Sequence, residues 1–131
     1  SSRSSKKITY NINLPTNEEI KLPINQCLLE WVLENLSKNA IDAMSGIGTL
    51  SLELTQDNKR VIIDISDTGK GMPKKQFKKI FEAGYTTKER GWGMGLSLAK
   101  RIIEEYHHGK IFVKQSVIGK GTTFRIILKK V

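Results

Sequence analysis

Five short stretches in which apolar and polar residues alternate limit what this chain can fold into. Residues 49–55 read TLSLELT and residues 60–66 read RVIIDIS, with the turn-prone QDNK between them. A period of two over a strand-length run puts every apolar side chain on one face, so the pair predicts an antiparallel hairpin. KIFVKQS (110–116) and TTFRIIL (122–128) predict a second hairpin around VIGKG, and ITYNINL (8–14) predicts one more strand. Pro23 heads a helical stretch over 24–44 that SGIG ends. Pro73 starts a short helix, PKKQFKKIF. A last helix runs from Leu96 through LSLAKRIIEEYHH to a C-terminal cap at Gly109. Helices fall between strand groups without strict alternation. The prediction is an α/β fold, a two-layer sandwich with one mixed sheet covered on one face by helices.

The 131 residues suffice for one domain with a real core, taken as 8–131, with the polar SSRSSKK (1–7) read as a linker remnant or frayed end. No apolar run reaches membrane-spanning length, and no signal-peptide pattern opens the sequence. Cys27 is the only cysteine, which excludes an internal disulfide. Its apolar neighbours suggest a buried, reduced thiol and a cytoplasmic setting. Lys and Arg number 22 against 13 acidic residues, a net charge of +9. They are spread along the chain, with small clusters at 74–79 and 129–130. No basic motif with interleaved aromatics points to nucleic acid.

Three places carry candidate chemistry. In the helix 24–44, Leu28, Val32, Leu36 and Ala43 fall on one side at about 100° per residue, and Asn35 and Asn39 fall within the same stripe. Amides on an apolar face are either satisfied internally or liganded, and an Asn carbonyl suits Mg²⁺ already held by phosphates. Glu34 points about 140° from Asn39, towards solvent. GWGMGLS (91–97) is glycine-rich and runs into a helix, as a phosphate cradle or simply as a flexible loop. No Walker A spacing occurs, so a nucleotide would be held in another way. DTGKGM (67–72) closes a strand with Asp67. It reads as an ordinary turn, or as a carboxylate that accepts from a flat donor such as an adenine amine.

Taken in order, Asn39, DTGKG, GWGMGLS and GKGTT resemble the ATP-binding catalytic domain of sensor histidine kinases, within the gyrase, chaperone, histidine kinase and MutL ATPase superfamily. The resemblance runs from about residue 8 to 131. It implies a Bergerat-type fold and Mg²⁺ and ATP as ligands. By it, ENLSKNAIDAM is the N box, with Asn39 on Mg²⁺ and Asn35 facing the phosphates. Asp67 accepts from the adenine amine, beside Gly69 and Gly71, and Phe81 braces an ATP lid over 82–95. Gly91, Gly93 and Gly95 contact phosphate, and Thr87, Lys88, Met94 and Leu96 line the nucleotide. Thr122 or Thr123 supports Asp67 through water.

Hydrolysing members of the superfamily carry a Glu four residues before the magnesium Asn; here that position is Asn35. Slow hydrolysis and transfer to an imidazole follow from the resemblance, with Glu34 as a possible aid to the acceptor. His107 and His108 look like helix caps, not acceptors. In the family, the acceptor histidine sits on a separate dimerisation domain, and a response regulator acts downstream. The isolated fragment is then expected to be a monomer that binds ATP without phosphorylating itself. A stand-alone anti-sigma-factor-type serine kinase and a degenerate nucleotide-binding scaffold are the alternatives.

Overall fold

The structure, a computed structural model, describes residues 7–13, 24–83 and 93–130. Strand β1 (Lys7–Asn13) leads to helix α1 (Gln26–Ala43), then to β2 (Ile47–Gln56) and β3 (Arg60–Asp67). Helix α2 (Gly93–Arg101) continues as a π-helical turn, Ile102–Tyr106. The hairpin β4 (Lys110–Val117) and β5 (Gly121–Lys129) follows.

The sheet order is β1-β2-β3-β5-β4. β1 runs parallel to β2, with α1 between them in sequence, and every other pair is antiparallel. This is the mixed sheet that the alternation predicted. Val61, Ile63 and Ile65 of β3 are buried on one face with Phe124, Ile126 and Leu128 of β5 and Ile111 and Val113 of β4. Val32, Leu36 and Ala40 of α1 and Ala99, Ile102 and Ile103 of the second helix complete that core. On the other face, Arg125 of β5 holds Asp64 of β3 with two bonds of 2.7 Å. Among the described residues no helix is long and apolar enough to cross a membrane.

Four local expectations need correcting. Cys27 is exposed; it lies five residues before Val32, about 140° round the helix from the core stripe. Ala43, expected on the core side, is only partly covered, and Ala40 takes that place. PKKQFKKIF is not one helix but two 3-10 turns, Lys74–Gln76 and Lys79–Phe81. An α-helix there would stack Lys74 on Lys78 and Lys75 on Lys79, like charges one turn apart. The last helix begins at Gly93, not Leu96, because two of the loop glycines belong to its first turn.

Candidate functional site

β3 ends on Asp67, whose side chain lies on the core face in register with Ile65 and Ile63, and it is only 8 % exposed. Its Oδ1 accepts from the backbone N–H of Gly69 at 2.8 Å and of Thr122 at 3.3 Å. Among the described residues no donor reaches Oδ2. Burial pushes this carboxyl above the ordinary aspartate value, and the two amide bonds oppose that rise. The result is a largely buried acceptor with one oxygen engaged and the other available.

The loop after Asp67 is clamped on both sides. A Cβ on Gly69 would lie 2.6 Å from the carbonyl carbon and oxygen of Ala43, so only glycine lets the loop rest on the end of α1. There the N–H of Lys70 donates to the Ala43 carbonyl at 3.0 Å, satisfying one of the helix's terminal acceptors. Gly71 has φ +70°, and a Cβ on it would run into the Val117 carbonyl. Gly119 N–H donates to the Lys70 carbonyl at 2.7 Å, and Met72 N–H to Ser116 Oγ at 2.8 Å. The β4–β5 hairpin thus locks the loop from the other side. Thr68 Oγ1 accepts from Thr49 N–H at 3.0 Å and lies 3.5 Å from Met44 Sδ.

Asn35, Asn39 and Ala43 form one ridge of α1, spaced a turn apart and about 12 Å long. The Asp67 loop rests at the Ala43 end. At the other end, a Cβ on Gly95 would lie 2.7 Å from Asn35 Nδ2, so the first turn of α2 closes on the Asn35 amide. Asn39 is half-buried, and its Nδ2 donates to the Asn35 carbonyl at 2.9 Å. That bond fixes the orientation of the amide. Asn35 is 6 % exposed, and its Oδ1 is buried without a hydrogen-bond donor. Native interiors rarely leave such an acceptor orphaned.

Of the other expected residues, Phe81 is buried, edge-on to Phe124 with ring centroids 6.1 Å apart and Lys100 Nζ 5.6 Å from its ring. It therefore ties α2 to the sheet. Leu96 is half-buried on α2 beside Gly95, and Gly93 opens that helix. Glu34 is exposed on the outer side of α1, and the structure does not bring it to the ridge. Thr122 reaches Asp67 directly through its backbone N–H, and its Oγ1 lies 2.7 Å from Ser116 Oγ. Thr123 points to the opposite face, 2.8 Å from Ser66 Oγ. The alternation through Phe124, Ile126 and Leu128 already puts 122 on the Asp67 face. Thr87, Lys88 and Gly91 lie outside the described residues, as does the side chain of Met94. Ser116, which holds the loop in place, carried no sequence signal beyond its position next to a turn, and Ala43 was read only as part of the apolar stripe.

Among the described residues no three His, Cys, Asp or Glu side chains gather to hold a metal. The donors on the ridge are neutral amide oxygens, which fit a hard cation only when phosphates bring the remaining charge. One end of the ridge offers a carboxylate acceptor beside glycine backbone. The other offers two amides and the amino end of a helix, where anions are favoured. A ligand with a flat donor at one end and an anionic chain at the other suits this ridge.

Residues 25–131 match the family model described as histidine kinase-, DNA gyrase B-, and HSP90-like ATPase. Sporulation kinase E of Bacillus subtilis (strain 168) is 44 % identical over 101 residues, covering 76 % of this chain and 13 % of that protein. Sensor histidine kinase ZraS of Salmonella typhimurium is 38 % identical over 137 residues, covering 92 % of this chain and 29 % of that protein. The chain thus spans less than a third of the curated relatives it matches. The nucleotide-free catalytic domain of histidine kinase ThkA superposes with a TM-score of 0.79 at 28 % identity, over 95 % of this chain and 78 % of that one. A longer ThkA chain has been solved in complex with the response regulator TrrA; it superposes with a TM-score of 0.76 at 26 % identity, over 95 % of this chain and 34 % of that one.

Proposed function

The chain belongs to the family of histidine kinase-, DNA gyrase B- and HSP90-like ATPases, as a catalytic domain of the sensor histidine kinase type, and we propose that it binds Mg·ATP along the Asp67–Asn35 ridge for transfer of the γ-phosphoryl group to a histidine on another domain. The observation that carries this reading is the pairing of Asp67, with one available oxygen, and Asn35, with an orphaned one, at opposite ends of one helix ridge.

In this reading Asp67 Oδ2 accepts from the 6-amino group, with Gly69 and Gly71 beside the base in a loop packed against Ala43 and Val117. Asn39 and Asn35 turn their carbonyl oxygens to the phosphate end, and the amino end of α2 faces the same anion. Asn39 would hold Mg²⁺ through its carbonyl oxygen, and the ion would supply charge neutralisation at the phosphates. Position 35 is an amide and Glu34 is exposed on the far side of α1. The described part of the ridge therefore carries no base to activate water. The acceptor imidazole is a nucleophile without one at neutral pH. The domain contributes positioning and charge, which is what a loose phosphoryl transition state needs.

The domain, 8–131, would work in the cytoplasm as a monomeric unit. It would act on a dimerisation domain of the same parent protein, with a response regulator downstream as in the ThkA–TrrA complex. Thr87, Lys88, Gly91, Gly93 and Met94 would complete the phosphate side. Nothing favours the serine-kinase or scaffold alternatives.

Calorimetric titration with ATP, with and without Mg²⁺, tests the reading. The wild type should show saturable binding that Mg²⁺ strengthens, and Asn39→Ala should lose the Mg²⁺ dependence. An Asn39→Ala variant that binds Mg·ATP like the wild type would remove the magnesium assignment. Absence of saturable heat in the wild type would remove the function.

A further inference from the structure

The basic pair at 129–130 has no part in the nucleotide reading, and the fold gives it company. The antiparallel register sets Arg60 opposite Lys129, and the N–H of Lys130 donates to the Lys59 carbonyl at 2.8 Å. Lys59, Arg60, Lys129 and Lys130 thereby line one open cleft of about 780 Å³ together with Asp57 and Asn58.

Among the described residues Asp57 is the only acid in that lining. Its Oδ1 accepts from the N–H groups of Lys59 and Arg60, both at 2.8 Å, and its Oδ2 lies 3.2 Å from the Arg60 guanidinium. The two backbone bonds hold its carboxyl below the ordinary aspartate value, so it stays ionised and committed to Arg60. Among the described residues no acid pairs with Lys59, Lys129 or Lys130. Among the described residues the cleft therefore presents three ammonium groups without an acid partner, one on the turn that Asp57 fixes and two at the end of β5. Ordering that turn upon binding has little left to cost.

The cleft lies at the far end of β3 from Asp67, about 23 Å away along the eight residues of that strand. A nucleotide in the ridge site does not reach it. The chemistry of the lining selects among anions. Arg60 shares its Nε and Nη2 with Asp57 Oδ2, so the lysine ammonium groups carry the uncompensated charge. Among the described residues no aromatic ring lines the cleft to stack a base. The large exposed apolar side chains of the described residues are absent from its lining, so nothing there would insert into a bilayer. Three separated point charges on aliphatic stems match dispersed carboxylates.

We propose that the cleft formed by Lys59, Lys129 and Lys130 docks a carboxylate-rich segment of a partner protein, separately from nucleotide binding.

Fluorescence anisotropy with a fluorescein-labelled hexaglutamate peptide at low salt tests this on the whole chain. The wild type should bind saturably. The triple variant Lys59→Glu, Lys129→Glu, Lys130→Glu should bind at least about tenfold more weakly. Lys74→Glu, Lys75→Glu, Lys78→Glu changes the net charge by the same amount elsewhere and should weaken binding less than about threefold. Substituting Gln for Lys at 59, 129 and 130 removes the charges without adding acids, and serves if the first variant unfolds. All variants should keep the wild-type Mg·ATP titration. Equal losses in the cleft and control variants, or no saturable binding by the wild type, overturn the proposal. So does tighter binding of phosphatidylserine vesicles or duplex DNA than of the peptide through the same three lysines.

Discussion

The backbone N–H of Asn25 donates a 2.9 Å hydrogen bond to Nε2 of His107, across 82 residues of sequence. Nδ1 of the same ring lies 2.8 Å from the Ile102 carbonyl. A ring nitrogen that accepts from an amide N–H carries no proton, so the proton sits on Nδ1 and donates to that carbonyl. His107 thus caps the π-helical turn and closes the first turn of α1 with one neutral imidazole. The Asn25 side chain caps the same end of α1, accepting from Leu28 N–H at 3.1 Å. His107→Ala removes both ring bonds and should lower stability by about 1–3 kcal/mol in urea denaturation. An unchanged midpoint would mean that water replaces the imidazole at no net cost.

Gly95 and Asn35 meet where α2 closes on α1. An added methyl would sit 2.7 Å from Asn35 Nδ2 and 2.8 Å from Oδ1, closer than real contacts allow. The Asn35 amide is buried, so it has little room to give way. Gly95→Ala should destabilise the domain by about 1–3 kcal/mol from overpacking, partly offset by the better helix propensity of alanine. Combining it with Asn35→Ala should recover much of that loss, since the second change removes the atoms in conflict. A double-mutant cycle with no coupling would place the two residues out of contact.

How much of this was legible in the sequence depends on whether the signal was local. The strands were legible because period-two alternation is a local pattern; the expected 49–55 and 60–66 became Ile47–Gln56 and Arg60–Asp67. Asn35 stood out because an amide within an apolar stripe needs an explanation. The start of α2 was missed because glycines in a first helical turn look like loop. Cys27 was misplaced because apolar neighbours in sequence are not neighbours round a helix. The His107–Asn25 bond and the pairing of Lys59 with Lys130 depend on register between distant strands and helices, which no local pattern carries.

Asp67→Asn separates binding from folding. Asparagine keeps an oxygen for the Gly69 and Thr122 amides but places an NH₂ where Oδ2 was. Two donors then face each other in the ATP complex. Calorimetry should show nucleotide affinity weakened by about 1.5–3 kcal/mol, the scale of a hydrogen bond to a charged group. Unchanged affinity would mean that the base does not meet Asp67.

The same substitution has a pH signature. Burial raises the Asp67 pKa in the folded state above its value in the unfolded chain. Between those two values the native state binds more protons than the unfolded state, so this residue's contribution to stability falls as pH rises through the window. Above the folded pKa the ionised carboxylate carries its full desolvation penalty, while asparagine has no charge to desolvate. The melting temperature of Asp67→Asn relative to wild type should therefore be higher at pH 7 than at pH 4, both without ligand. ATP affinity should show the complementary trend. The wild-type advantage over Asp67→Asn should shrink as pH falls through the raised pKa, because the proton takes the acceptor, and the comparison cancels the titration of ATP itself. A melting-temperature difference independent of pH, with a binding difference equally flat, would mean that Asp67 does not titrate as a buried acceptor.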